Sequence, residues 1–324
     1  VSAGTVLVDG ATGYVGSHLA NQLSRKGYPV RCLIRPHANE ADVAVLKTLN
    51  VETTPVDLFD RSQAACNAFQ GVKVAVHLIG SVAPRRGERL TDLHVEMTRR
   101  FAELAKGAAV EKVVMVTALG AAADAASLYH RTKFWAEQQL KESGVNCLIL
   151  RPALLVGKTF GRRNSKLITR IIDLIKTRRL VPIINGGVNR IQPLFIDDVV
   201  DAIVNCVASY PGSGGSQAPV LELAGPDVIT MRQLYEELME VVGCRKPLLN
   251  VPAPLANLVA CAAELLQPVP IISRDQIKLS GSDNTSSGRD ISEKLSIRPT
   301  SLTDALRTYA NTGNDLACAS AARE

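Results

Sequence analysis

The sequence predicts an α/β protein built on a doubly wound parallel sheet, with a small C-terminal α/β lobe, on three observations. Apolar, strand-length runs alternate with helix-period segments through the first half of the chain. The first such run, from Thr5 to Val8, stops at Gly10, and three glycines spaced three apart (Gly10, Gly13, Gly16) lead into the helix pattern Val15, Leu19, Leu23. Hydrophobic residues make up 46% of the 324 residues but aromatics only 4%. The core is therefore drawn from Val, Leu, Ile and Ala, as the buried strands of a parallel sheet require.

Taken in order, the opening unit is a strand, a tight turn and a helix. Such a turn lets backbone approach a pyrophosphate, while the unpaired N–H groups and the positive dipole end of the helix attract its charge. The residues expected to hold a dinucleotide there are Gly10, Thr12, Gly13, Tyr14, Val15 and Gly16. A second strand at 29–34 ends in Arg35-Pro36, where the adenosine ribose is expected to lie. An acid at that place binds the 2′-hydroxyl of NAD, whereas Arg35 can pair with the 2′-phosphate of NADP, so NADP(H) is favoured over NAD(H). A helix at 39–48 leads to a third strand (51–56) ending in Asp57-Leu58, where Asp57 is placed to accept the adenine amino group. The fourth strand (72–79) ends in Gly80, so Leu78, Ile79 and Gly80 line the same crevice. A helix at 89–106, a fifth strand (112–117) and a sixth (146–150) ending in Arg151-Pro152 complete a Rossmann-type series, with Pro152 at the cofactor. Residues 1–155 read as the dinucleotide-binding core, and 156–324 as a substrate lobe interleaved with the remaining core elements.

Beyond residue 155 the pattern loosens. A loop with Gly157, Gly161, Arg162 and Arg163 precedes an amphipathic helix at 166–179, a short strand at 181–184 and a Gly-Gly turn at 186–187. Asp197 and Asp198 open a helix that suits their charge. A glycine- and serine-rich loop at 211–219, a strand at 220–223, a helix opened by Thr230, the apolar stretch 255–266 and a last helix from Ser301 follow.

The second informative stretch is Ser127-Leu-Tyr129-His-Arg-Thr-Lys133, opening the helix after strand five. Tyrosine and lysine four apart share one helix face. A lysine beside a phenol, together with a cationic nicotinamide, favours the phenolate and lowers the tyrosine pKa. Tyr129 is thus the candidate general acid or base, with Lys133 also holding the nicotinamide ribose.

These residues, with Asp9 to Gly16, Val76 to Gly80, Val116 to Gly120, Arg151-Pro152 and Gln192 to Asp198, resemble the extended or atypical branch of the short-chain dehydrogenase/reductase superfamily. The resemblance implies that Thr117, at the end of strand five, orients the substrate oxygen as a third catalytic residue. Leu223 to Pro226, Val251 to Pro254, Ser273 to Gln276 and Ser282 to Asn284 are similar to the subfamily of the accessory NADPH-binding subunit of respiratory complex I and its bacterial relatives. That subfamily implies cofactor binding for structural integrity. Where many sugar-nucleotide epimerases carry an asparagine, His94 stands in this chain, and the segment from Gly120 to Tyr129 is alanine-rich. Both features count against a sugar-nucleotide substrate and leave a small or apolar one.

Three functions follow. The first is an NADP(H)-binding oxidoreductase acting on a carbonyl or hydroxyl of a small-molecule substrate. The second is a non-catalytic NADPH-binding accessory subunit or assembly factor of a respiratory membrane complex. The third is a nucleotide-sugar epimerase or dehydratase. The net charge of +6 and pI near 9.0 suit an anionic partner. The basic segment 158–190 is a candidate for peripheral contact with a membrane or membrane complex. Its arginines lack an aromatic platform, so nucleic acid is not expected. Seven scattered cysteines without a Cys-x-x-Cys pair read as reduced, and no metal site is expected. With a strand beginning at Thr5 and no apolar run of about 18 residues, the expectation is a soluble or peripheral protein without a signal peptide, in the cytoplasm or an organelle matrix.

Overall fold

The computed structural model describes residues 4–60, 62–82, 87–209, 212, 218–266, 274–279, 281–286 and 289–310. Six strands pair in parallel: β1 (Thr5–Val8), β2 (Val30–Ile34), β3 (Glu52–Pro55), β4 (Val72–His77), β5 (Lys112–Val116) and β6 (Cys147–Pro152). A seventh strand, Val220–Leu223, adds in parallel beyond β6, so the series does not close at the sixth strand. Its inward residues Leu221 and Leu223 are buried, and its backbone pairs with what would otherwise be a bare edge of β6. The order is Val220–Leu223, β6, β5, β4, β1, β2, β3. The winding reverses between β1 and β4, and the crevice at their carboxyl ends is the switch point where this architecture binds ligands.

Alternation along β1 sends Val6 and Val8 into one apolar layer and Leu7 into the other. The first layer is covered by α1 (Tyr14–Arg25), α2 (Glu40–Lys47) and α7 (Ile196–Ala208), the second by α3 (Gln63–Ala68), α4 (Met97–Gly107) and α5 (Leu128–Glu142). A third apolar cluster forms the lobe. There α6 (Lys166–Thr177) buries Ile168, Ile171 and Ile175 with Leu234 and Leu238 of α8 (Met231–Val242) and Leu302 and Leu306 of α11 (Leu302–Arg307). The stripe that makes the basic helix amphipathic is thus spent on the lobe's own core. The apolar stretch near 255 lies in α9 (Ala253–Leu266), which is followed by the short helix α10 (Arg274–Leu279).

Among the described residues, no helix is long and apolar enough to cross a membrane, no cluster of His, Cys, Asp or Glu could hold a metal ion, and six cysteines are free thiols. Most of the 211–219 loop, Ser273 and Cys318 lie outside the described residues.

Candidate active site

The phosphate turn is built from backbone. Gly10 has φ +59°, a left-handed conformation that favours glycine, and its carbonyl accepts the Gly13 N–H at 2.8 Å. A Cβ on Gly13 would lie 2.9 Å from the Gly10 carbonyl oxygen. One on Gly16 would overlap that oxygen and come within 2.8 Å of Ala11 Cα. Among the described residues no side chain caps α1 at Gly13, so its first-turn N–H groups could hold a ligand. This cradle fits a pyrophosphate. Thr12 and Val15 flank it half-buried, whereas the Tyr14 hydroxyl is turned to the lobe and donates to the Gly157 carbonyl at 2.7 Å.

Along the crevice toward β3, Arg35 is exposed just past β2. Asp57 is exposed past β3 and uses one carboxylate oxygen to accept the Phe59 N–H at 3.0 Å, while Leu58 is buried beneath it. In the other direction, Leu78, Ile79 and Gly80 continue from β4. The Asp9 carboxylate fixes the first two by accepting the N–H groups of Leu78 at 2.5 Å and Ile79 at 3.2 Å.

The opposite wall is α5, where the spacing predicted it. Ser127 caps its first turn by accepting the His130 N–H at 3.1 Å. Asp275 of α10 accepts two more N–H groups, from Leu128 at 2.7 Å and Tyr129 at 3.0 Å. A lobe carboxylate therefore completes the start of the helix that carries the Tyr129–Lys133 pair.

Lys133 is buried, with Nζ 3.4 Å from the Ile79 carbonyl oxygen. Gly80 is open for it: a Cβ there would lie 3.1 Å from Lys133 Cε and 3.4 Å from His94 Nε2. Burial pulls the Lys133 ammonium down to about 8, against the opposing pull of Asp9 and Glu137. Burial also pushes the Tyr129 phenol up to about 12. No described residue hydrogen-bonds the Tyr129 hydroxyl; its ring meets His94 edge-on at a centroid distance of 5.6 Å.

Thr117 lies buried just past β5. Its hydroxyl donates to Glu137 Oε1 at 2.6 Å, and Arg151 Nε and Nη2 hold the same carboxylate at 2.9 and 2.5 Å. The one proton of Thr117 is thus committed within the protein, tying β5 and β6 to α5. Pro152, buried at the end of β6, accepts the Leu119 N–H at 2.9 Å through its carbonyl.

Sequence reasoning missed a buried polar chain behind these residues. Asp9 pairs with His77 Nδ1, and His77 Nε2 meets Thr98 Oγ1 at 2.9 Å. Thr98 donates to the His94 carbonyl at 2.6 Å. His94 Nε2 accepts the Ser81 N–H at 3.2 Å, so its proton sits on Nδ1, facing Thr132 Oγ1 at 2.7 Å; Thr132 donates onward to the Tyr129 carbonyl at 3.0 Å. Burial, then the charges of Lys133 and His77, pull the His94 imidazole down to about 2. The available signal was a set of polar residues at apolar positions: Asp9 ending β1, His77 ending β4, and Glu137 on the buried stripe of α5 that also holds Lys133, Ala136 and Leu140.

The model of the NAD dependent epimerase/dehydratase family matches residues 6–216, which contain the glycine turn, Tyr129 and Lys133. The chain belongs to this family. Within it, the chain is 30% identical over 286 residues to sterol demethylase protein B of Methylococcus capsulatus, covering 81% of this chain and 82% of that one. It is 26% identical over 270 residues to the mitochondrial NADH dehydrogenase (ubiquinone) 1 alpha subcomplex subunit 9 of Arabidopsis thaliana. That match covers 82% of this chain but 65% of the Arabidopsis protein. An NADPH-dependent quinone oxidoreductase of Escherichia coli, solved with NADPH, superposes with a TM-score of 0.72 at 19% identity, covering 94% of this chain and all of the other. At that identity the likeness to the quinone oxidoreductase is one of fold. A nicotinamide dinucleotide is the cofactor class that the family description supports.

Proposed function

We propose that the chain is an NADP(H)-dependent oxidoreductase acting on a carbonyl or hydroxyl of a small or apolar substrate. The observation that carries this reading is the placement of the Tyr129–Lys133 pair: α5 presses a buried lysine against the carboxyl end of β4, one strand from the glycine turn. The residues to hold the dinucleotide are the N–H groups of 10–16 for the pyrophosphate, Arg35 for a 2′-phosphate, Asp57 and Leu58 for the adenine, and Leu78 to Gly80 and Pro152 along the crevice. The chemistry a bound nicotinamide supplies is hydride transfer. Tyr129, held protonated by its raised pKa, gives its proton to a carbonyl oxygen. Lys133, cationic below about pH 8, holds the ribose and stabilises the phenolate left behind. Thr117 holds Glu137 and so positions α5. The likeness to a sterol demethylase protein supports an apolar substrate.

The second reading, an accessory subunit that binds NADPH without turnover, is favoured by one feature. Leu255, Leu258 and Val259 stand exposed together on α9, as on a helix that meets a partner. The likeness to the Arabidopsis subunit points the same way.

The experiment is NADPH and NADH titration of the purified chain, followed by turnover with a panel of quinones, ketones and sterol ketones. The expected outcome is NADPH turnover that Tyr129→Phe abolishes without loss of NADPH binding. A chain that binds NADPH, and whose Tyr129→Phe variant supports assembly as well as wild type without any turnover, belongs to the second reading. A chain that binds neither nucleotide refutes both.

A further inference from the structure

We propose that Arg163 is a second guanidinium for the 2′-phosphate of the dinucleotide, and that Asp42 is its counter-ion when that phosphate is absent. The proposal rests on the NADP(H) reading of the site and adds to it a residue far from Arg35 in sequence.

Residues 157–165 form a strap across the first turns of α1. The Tyr14 hydroxyl donates to the Gly157 carbonyl at 2.7 Å, Thr159 Oγ1 donates to the Tyr14 carbonyl at 3.0 Å, and the Phe160 N–H donates to His18 Nδ1 at 3.2 Å. Gly161 lies so close to α1 that a Cβ would come within 2.8 Å of Ser17 Cβ. The Thr159 N–H donates to Asn164 Oδ1 at 3.1 Å, closing the strap on itself. These anchors carry Arg163 past α1 to the first turn of α2, where Nη2 and Nε meet Asp42 Oδ2 at 2.7 and 2.9 Å.

Arg35 opens the turn after β2, and Asp42 lies one turn further on, in α2. The Ala38 N–H donates to the Arg35 carbonyl at 2.9 Å, and the Asp42 N–H donates to the Asn39 carbonyl at 3.0 Å. The turn stands at the carboxyl end of β2, where a doubly wound sheet places the adenosine ribose. The Arg163 side chain is 44% exposed. The Arg35 side chain is exposed and has no hydrogen-bond or ion-pair partner among the described residues.

The charges give the arrangement its logic. Asp42 suits the positive end of α2 but would repel a phosphate bound beside it. Arg163 cancels that repulsion, and a phosphate monoester, with a charge of about −1.5 to −2, competes with a single carboxylate for a guanidinium. NADH lacks the group and leaves Arg163 on Asp42.

The test titrates NADPH and NADH, by nucleotide fluorescence, into the full chain and its Arg163→Ala, Arg163→Lys, Asp42→Asn and Arg35→Ala variants, with melting temperature as the check on folding. The expected result is that Arg163→Ala weakens NADPH about tenfold and NADH less than about twofold, as loss of one charge-assisted phosphate contact would. Arg163→Lys recovers part of the loss, and Asp42→Asn binds NADPH at least as tightly as wild type. Equal weakening of both nucleotides by Arg163→Ala overturns the proposal, leaving Arg163 as a strap anchor. Unchanged NADPH affinity in Arg163→Ala, with a loss in Arg35→Ala, overturns the proposal while the NADP(H) reading stands. Loss of NADPH affinity in Asp42→Asn overturns the counter-ion role. A wild type that binds NADH as tightly as NADPH refutes the NADP(H) reading and this proposal with it.

Discussion

Gly16→Ala probes the phosphate turn because two forces of known sign oppose each other there. Gly16 lies inside α1 without positive φ, so helix propensity alone favours alanine by about 1 kcal/mol. The new methyl, however, would come within 2.8 Å of both Ala11 Cα and the Gly10 carbonyl carbon, and would overlap the Gly10 oxygen. All three are backbone atoms of a turn closed by the Gly13 N–H to Gly10 carbonyl bond, so no side chain can swing aside. Overpacking of this kind costs about 1–3 kcal/mol and sometimes more. The expected balance is a net loss of roughly 1 kcal/mol, or a melting temperature lower by roughly 1–2 °C for a chain of this size. Displacing the turn also moves the N–H groups meant for the pyrophosphate, so NADPH affinity falls at least about tenfold. Gly27→Ala is the matched control. Its φ of +80° strains an alanine by about 1–2 kcal/mol, but nothing lies within 4 Å of the added carbon. Thermal melts and NADPH titrations of the two variants separate strain from steric loss of the site. A Gly16→Ala protein that melts at or above the wild-type temperature and binds NADPH normally would refute the close approach.

Two further outcomes follow from the site's hydrogen bonds. His94 is held neutral down to about pH 2 in the folded chain, whereas an unfolded histidine protonates below about 6.5. Between those values the unfolded state binds the extra proton, so stability falls as pH drops below about 6.5, by up to about 1.4 kcal/mol per pH unit. His94→Gln should flatten the denaturant-measured stability between pH 6.5 and 5 relative to wild type, and parallel curves would show that His94 does not carry the effect. Asp275→Ala strips two N–H acceptors from the start of α5 and is expected to cost about 1–2 kcal/mol, with faster amide exchange at Leu128 and Tyr129. Unchanged exchange at those two amides would count against the lobe carboxylate as the cap.

Much of this frame was legible because its signals are local. The glycine spacing after β1 predicts a turn whose close contacts the structure then shows, and the four-residue spacing of Tyr129 and Lys133 places both on α5 at the crevice. The strand Val220–Leu223 was legible as a strand but not as the seventh member of the sheet, because nothing in four alternating residues names β6 as the neighbour. The basic helix α6 shows the same limit. Its period of Ile168, Ile171 and Ile175 fits a surface-seeking stripe as well as a core stripe, and it is α8 opposite that buries it in the lobe.

The sequence by itself determined the doubly wound order of elements, the phosphate turn and the residues along its crevice, since propensity, glycine placement and period act within a few residues. The tertiary structure decided what those residues can do. It gave the proton of Thr117 to Glu137, raised the Tyr129 phenol by burial, drew Lys133 down to about 8, and brought Asp275 from the distant lobe to the start of α5 and Arg163 to Asp42 on the first turn of α2. Desolvation and hydrogen-bond partners are properties of the packed neighbourhood, and that neighbourhood is assembled from segments whose meeting no local pattern encodes.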